Sequence, residues 1–271
     1  IAINRSAGIT RAVVAPNMGN DIFGGLGAVI DLGADANPLT KRRAFLFVDL
    51  GEGGANDAGG SRMASHALLR AKFREAQDYA AGRDGFDDGL LRAEDAKVLN
   101  AVIAGDIPMM VHVESANDIR QVLALKSEYP KLRLILVGVT EGWMVAPEIA
   151  AANVPVIASA LNDLPVNFAM RGATQSNVGR MKDAGVTVAI GMIDDRDAHQ
   201  LRYTPQYAGN LVSLSRVPGA TGLTWDEGMA AITSVPATIM GQGGKLGVLK
   251  PGARADVVIW DGDPLDVPSA A

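Results

Sequence analysis

Short runs of β-branched and other apolar residues recur along the chain, and stretches with helical spacing separate them. Seven runs predict β-strands, at residues 11–15, 28–32, 45–49, 109–113, 133–137, 154–158 and 186–191. Most runs are continuously apolar rather than alternating, which is typical of parallel strands buried on both faces. The alternation of strand and helix therefore predicts a parallel α/β sheet with right-handed crossovers, one strand short of an eight-stranded barrel.

Helix-start signals fill several of the intervals between these strands. Ser61 is a favoured N-cap residue before the amphipathic stretch 61–83. Ser115 and Thr224 each precede an acidic residue three positions on, the spacing of a capping box. A short helix is predicted over residues 177–184, because Gly185 ends the pattern.

Three polar loops are predicted to line a pocket. Residues 16–27 and 51–60 are rich in Gly, Asn and Asp, and each follows a predicted strand. Residues 161–175 follow another strand and mix polar with apolar groups. Loops that follow the strands form the active-site face of a (β/α)8 barrel. The amino-acid composition of these three loops does not identify the substrate.

Composition narrows the class of protein. The 271 residues carry a net charge of −5 and show no basic stripe, so we expect no nucleic-acid partner. No run of 18 apolar residues predicts a membrane span. Cysteine is absent, which excludes disulfides, thiolate metal sites and a cysteine nucleophile. The first residues, Ile1 to Arg5, are neither an initiator Met nor a signal peptide, so both a cytoplasmic and a periplasmic location stay open.

The most specific sequence feature is the tail over residues 244–265, a turn, an apolar run and a second turn behind a helix that ends near Gly241. This order closely resembles the C-terminal signature of the metal-dependent amidohydrolase superfamily, in its imidazolonepropionase-like branch. The resemblance implies a TIM-like (β/α)8 barrel over residues 1–241 and part of a small β-sandwich over 242–271, with a strand near 255–260. It also implies that the first barrel strand is missing and that the chain is trimmed at both ends.

The resemblance further implies a hydrolase that cleaves a C–N bond, in an amide or cyclic amide rather than a simple peptide bond, by metal-activated water. Zinc or another divalent metal is the implied cofactor. A small molecule is the expected substrate, no membrane partner is expected, and a homo-oligomer is left open. The chain by itself is expected to lack a complete metal site.

His112 is the leading candidate among three histidines. It ends the apolar run 109–113, and catalytic side chains collect at the carboxyl ends of barrel strands. A neutral imidazole there could bind zinc, or it could simply be held by a neighbouring carbonyl. The resemblance favours a metal ligand. His66 is interpreted as a helix-packing or surface residue, and His199 as a residue of a solvated loop.

Asp194 is the candidate general base. In the family, the strand matching residues 186–191 delivers an Asp that binds the metal and takes a proton from the attacking water. The expected spacing falls on Ile193, so either a slip of one residue places Asp194 in the site or that Asp is lost. Asp194, Asp195 and Asp197 would then form a solvated loop.

Glu141 is the third candidate metal ligand. It follows the strand over 133–137, where many amidohydrolases place a second metal-binding histidine. Glu141 could supply an oxygen ligand instead, or it could cap the helix predicted near Trp143. The family's His-x-His pair is also missing. A non-catalytic barrel that binds a ligand and a metal-free enzyme are therefore alternatives to the metal-dependent hydrolase.

Overall fold

The computed structural model of the chain describes residues 1–34, 36–83, 89–193 and 198–266. In this part of the chain, seven strands form one curled sheet whose spatial order follows the chain order. The strands are β1 (Arg11–Val14), β2 (Phe23–Asp31), β3 (Leu39–Asp49), β4 (Met109–Val113), β5 (Leu134–Gly138), β6 (Val156–Ser159) and β7 (Val188–Gly191). All seven predicted strands are therefore present, but β2 and β3 begin five and six residues before their predicted starts at 28 and 45, so the end of the predicted loop over 16–27 belongs to β2.

The direction of the first two strands corrects the prediction. Strands β3 to β7 pair in parallel, but β1 with β2 and β2 with β3 pair antiparallel. Residues 15–22 and 32–38 connect these antiparallel strands, and both connections are shorter than the dozen or so residues that a parallel crossover needs. The described sheet thus combines an antiparallel meander with five parallel strands that resemble part of a barrel.

Ten α-helices are described, and most of the longer ones lie between the parallel strands. They are α1 (Ala2–Ser6), α2 (Glu52–Asp57), α3 (Arg62–Ala80), α4 (Ala93–Ile103), α5 (Ala116–Glu128), α6 (Ala146–Ala151), α7 (Asn177–Asp183), α8 (Thr204–Leu214), α9 (Trp225–Ile232) and α10 (Ser234–Ile239). None of the helices in the described ranges is long and apolar enough to cross a membrane.

The predicted N-caps are confirmed. The hydroxyl of Ser61 accepts a hydrogen bond from the N–H of Ala64, and that of Ser115 accepts one from the N–H of Asp118. Thr224 and Glu227 form a reciprocal capping box at the start of α9. These side chains satisfy N–H groups that have no partner within the helix, so they fix where each helix begins.

Two apolar layers lie on the two faces of the sheet. Odd-numbered residues of β4, such as Met109 and Val111, pack against the flanking helices in the larger layer. Met110 lies on the other face, in a smaller cluster with Phe45 and with Met240, which follows α10. His112 shares the parity of Met110, so the strand directs both side chains to the face that carries this smaller cluster.

The strand predicted at residues 255–260 is a second correction. No strand is present there, because the backbone of these residues pairs with none of the described strands. Side chains hold the segment instead. Asp256 forms an ion pair with Arg11 of β1, and the ring of Trp260 lies against Gly8.

Candidate functional site

Asp49 and His112 meet at the carboxyl edge of the parallel sheet. They are register partners on the adjacent strands β3 and β4, so both side chains project from the same face. Asp49 Oδ2 lies 3.3 Å from His112 Nδ1. The His112 side chain is 28% exposed and that of Asp49 only 8%, so the imidazole is the more accessible of the two groups.

Glu114 holds the other side of the ring. It lies two residues beyond His112, on the same face by the period of the strand, and its Oε1 is 3.0 Å from His112 Nε2. Its Oε2 accepts hydrogen bonds from the backbone N–H and the hydroxyl of Thr140, at 2.9 Å and 2.6 Å. Asn162 extends the chain of bonds by donating to the Thr140 hydroxyl at 3.0 Å.

Glycines let the backbone close around both carboxylates. The N–H of Gly51 donates to Asp49 Oδ1 at 2.7 Å, and a Cβ on Gly54 would lie 1.9 Å from the Asp49 carbonyl oxygen. A Cβ on Gly138 would lie 2.4 Å from Glu114 Oε1. These positions need glycine because a side chain would displace the groups that orient His112.

The turn after β5 stores backbone strain beside the site. Val139 has φ of +59°, a left-handed conformation that is rare for a β-branched residue. The side-chain amide of Asn177 donates to the Val139 carbonyl at 2.9 Å and helps to hold this conformation. The turn brings the N–H and hydroxyl of Thr140 onto Glu114, so the strained residue positions the support of His112.

The site keeps His112 charged. Burial disfavours the imidazolium, but hydrogen bonds to Asp49 and Glu114 and their negative charges outweigh it and raise the pKa of His112 to about 10. Burial likewise opposes the Asp49 carboxylate. The bonds from His112 and from the N–H groups of Gly51 and Gly54 outweigh that effect and lower the pKa of Asp49. Near pH 7 the site is therefore an imidazolium between carboxylates.

Glu141 binds backbone groups. Its Oε2 accepts from the N–H of Ala116, the first residue of α5, at 2.9 Å, and its Oε1 accepts from the N–H of Gly172 at 2.8 Å. The predicted cap of the helix near Trp143 is not formed by this side chain. Glu141 instead caps α5 and fastens the loop after β6. Its role as a metal ligand stays a prediction.

The structure describes the other two histidines but not the candidate general base. Asp194, like its neighbours Asp195 and Asp197, lies outside the described residues. His66 is buried in α3, and no hydrogen-bond partner of either ring nitrogen is found in the described part of the chain. His199 is exposed, as expected for a loop histidine.

Sequence reasoning missed Asp49, Glu114 and the Thr140–Asn162 pair. A signal for the carboxylates was present, since Asp49 ends an apolar strand and Glu114 follows His112 with the period of a strand. Parallel strands place their carboxyl ends at one edge, so these groups were candidates by position. The contact of Thr140 with Asn162 has no such signal, because it depends on how two loops fold.

The described residues do not fit a metal centre in this arrangement. A histidine ligand must present a neutral ring nitrogen to the ion, whereas both nitrogens of His112 face carboxylates. Across the described ranges, no group of three or more His, Cys, Asp or Glu side chains is positioned to hold an ion.

The arrangement holds the His112 ring in one orientation at the edge of the sheet. Both ring nitrogens are paired with carboxylates, so neither ring N–H is left for a bound molecule while these contacts persist. Asp49 and Glu114 fix the orientation of the ring. Because each accepts a hydrogen bond from His112 and at least one other, neither is free to move far.

Known proteins match the chain in sequence. A sequence profile described as the amidohydrolase family matches residues 58–271. Amidohydrolase tasK of Hapsidospora irregularis is 45% identical over 49 residues, which are 18% of this chain and 5% of tasK. Imidazolonepropionase of Brucella suis biovar 1 (strain 1330) is 27% identical over 190 residues, 68% of this chain and 43% of that protein. The chain thus spans less than half of the length of these relatives.

A solved structure matches the fold. The crystal structure of an amidohydrolase from Thermotoga maritima MSB8 superposes with a TM-score of 0.83 at 22% sequence identity. The match covers 98% of this chain and 70% of that one. At this identity the likeness concerns the fold alone, and it extends over both the antiparallel and the parallel strands.

Proposed function

The chain belongs to the amidohydrolase family, and on that premise we propose that it hydrolyses a C–N bond of a small-molecule amide or cyclic amide. The reaction centre would lie at the carboxyl edge of β3 and β4, around His112. The membership expected from the C-terminal motif is confirmed. The match to an imidazolonepropionase agrees with the expected branch.

The observation that carries the proposal is the position of a charged histidine. His112 lies at the edge where barrel enzymes collect their catalytic side chains, and it is the most exposed member of its cluster. A purely structural ion cluster could lie anywhere in the sheet. This one lies beside the loops that follow β3, β5 and β6.

The proposed chemistry assigns roles to groups of the chain itself. Water attacks the amide carbonyl carbon, the C–N bond breaks, and the nitrogen leaves with a proton. His112, held by Asp49 and Glu114, would contact the substrate and orient its carbonyl group for the attack. Asp194, three residues after the end of β7 in the sequence, is the proposed general base, which takes a proton from water and returns it to the nitrogen.

The test compares hydrolysis by the purified chain and its variants. Release of amine would be measured from cyclic amides, N-acyl amines and N-acyl amino acids. We expect His112→Ala to lower kcat/KM by about 100-fold, because a group that orients the substrate at the reaction centre is lost. His199→Ala is the matched control, because the same residue type is removed from an exposed loop, and it should retain full activity.

Two outcomes would contradict the proposal. Hydrolysis that is equal in the His112→Ala variant and the parent would place the reaction elsewhere. Binding of the amides without any turnover, weakened by His112→Ala, would instead favour a barrel that binds its ligand without catalysis. Asp194→Asn separates the roles, since it should lower kcat and leave KM nearly unchanged.

A further inference from the structure

A groove of about 530 Å³ lies at the edge of the sheet opposite to His112. Four of its lining residues immediately precede the strands β4 to β7, namely Pro108, Arg133, Pro155 and Thr187. Residues of α10 close one side. The groove is therefore separated from the candidate reaction centre by the length of the parallel strands.

The charge of the groove opposes that of the chain. Its lining includes the cationic side chains Lys126, Lys131 and Arg133, and no Asp or Glu is among its lining residues. The whole chain carries a net charge of −5. A cluster of one sign on a protein of the other sign creates a local field that attracts a small anion.

The positive charge is not neutralised by carboxylates of the described residues. Lys126 donates to the Ala152 carbonyl at 2.7 Å, and Arg133 donates to the Gly105 carbonyl at 3.5 Å. Lys131 is exposed and has no ion-pair partner within the described ranges. A carbonyl oxygen orients a cationic side chain but does not neutralise its charge. Arg133 makes one long hydrogen bond to a carbonyl, so its other N–H groups can still donate to a bound anion.

The walls of the groove are apolar. Leu132, Ile149, Val186 and Ile239 contribute to the lining, and each is largely buried. Apolar walls lower the local dielectric, which strengthens the attraction between the cations and a bound anion. Pro130 is exposed and Pro155 is half-buried in the same lining, so these two rings offer a surface for an apolar part of the ligand. The volume of the groove falls within the range of small-molecule sites.

We propose that this groove is a second binding site, for a small organic anion that carries phosphate or carboxylate groups and an apolar part. Lys131 and Arg133 bind the anionic group, and Lys126 adds charge from the end of α5. The site is independent of amide hydrolysis at the opposite edge. Its occupant would stabilise the chain by binding the folded state.

Isothermal titration calorimetry on the purified chain tests the site. Adenosine monophosphate, inorganic phosphate and citrate are the anionic probes, and adenosine is the neutral probe with the same ring. We expect binding of at least one anion, weakened by salt, and none of adenosine. Lys131→Glu with Arg133→Glu should weaken it by at least about tenfold, because two charge-assisted contacts are lost.

A matched double variant separates local from overall charge. Arg216→Glu with Lys250→Glu changes the net charge equally at exposed positions outside the lining and should bind like the parent. Lys131→Gln with Arg133→Gln serves if the charge reversal prevents folding, which circular dichroism would show. Absence of binding by all three anions overturns the proposal. So does equal binding of adenosine, or equal loss in the two reversed doubles.

Discussion

His112 is the residue on which the chemistry of the candidate site depends, and its neighbours determine its charge. One imidazolium lies between two carboxylates, so the local charge is negative even with the ring protonated. Removing the ring would leave Asp49 and Glu114 buried without their shared cation, which is strongly unfavourable. The same contacts that orient His112 therefore also make its proton hard to remove.

Substitution of Glu114 tests this coupling. Glu114→Gln keeps a hydrogen-bond acceptor but removes one negative charge, so the pKa of His112 should fall from about 10 toward its ordinary 6.5. The ring chemical shifts in an NMR titration measure the change. Glu148→Gln is the control, because Glu148 pairs with Arg120 and not with His112. An unchanged titration of His112 in Glu114→Gln would contradict the assigned contacts.

Two ion pairs join the helices α3 and α5. Arg62 forms an ion pair with Asp118 at 3.3 Å, and Arg70 pairs with Glu128 at 2.6 Å. His66 lies between the two arginines on α3, and its buried ring nitrogens have no partner in the described structure. Burial, followed by the nearby charge of Arg70, lowers the pKa of His66, while Asp118 and Glu128 oppose that shift.

This packing predicts a loss of stability in acid. Below pH 6.5 the unfolded chain binds a proton at His66, whereas the folded chain resists it until its lowered pKa is reached. The free energy of unfolding should therefore fall by up to about 1.4 kcal/mol per pH unit in that window. Urea unfolding at several pH values measures the slope. His66→Phe should reduce it and His199→Phe should not; equal slopes in all three proteins would refute the prediction.

The antiparallel hairpin of β2 and β3 depends on one glycine. Gly27 is the register partner of Phe45, and a Cβ on Gly27 would lie 2.1 Å from the phenyl ring. Phe45 is fully buried, so its ring cannot move aside without disturbing the core. We expect Gly27→Ala to lower the free energy of unfolding by about 1–3 kcal/mol. Gly19→Ala, which has open space around the new Cβ, should change it little in the same urea titrations.

The sequence predicted more about elements than about their assembly. Apolar runs located all seven strands and hydroxyl residues located three helix starts, because these signals are local. Apolar runs do not encode pairing direction, so the antiparallel pairing of β1 with β2 and of β2 with β3 was not predicted. His112 could be predicted from its strand end. Thr140 and Asn162 could not be predicted as site residues. Thr140 reaches Glu114 through the conformation at Val139, and Asn162 reaches Thr140 through the loop after β6.

The amount of zinc that the whole chain retains follows from the contacts of its candidate ligands. Both nitrogens of His112 face carboxylates, and Glu141 binds backbone N–H groups, so this chain is expected to retain well under one zinc per molecule. Mass spectrometry of metals after zinc loading and desalting measures the ratio. His112→Ala should give the same low value. Tightly held, stoichiometric zinc that is lost in His112→Ala would overturn this expectation.

The ion cluster of Arg11 has a consequence for how fast the protein folds and unfolds. Arg11 and Asp256 are 245 positions apart, and their pairing closes almost the whole chain into a loop. Closing so long a loop is entropically costly, so the contact should form after the rate-limiting barrier of folding. Asp256→Asn removes this long-range ion pair and keeps the contacts of Arg11 with Asp31 and Thr40, so it should speed unfolding and leave the folding rate nearly unchanged in stopped-flow experiments. The contact of the C-terminal segment with β1 would then set the kinetic stability of the folded chain and not its rate of folding.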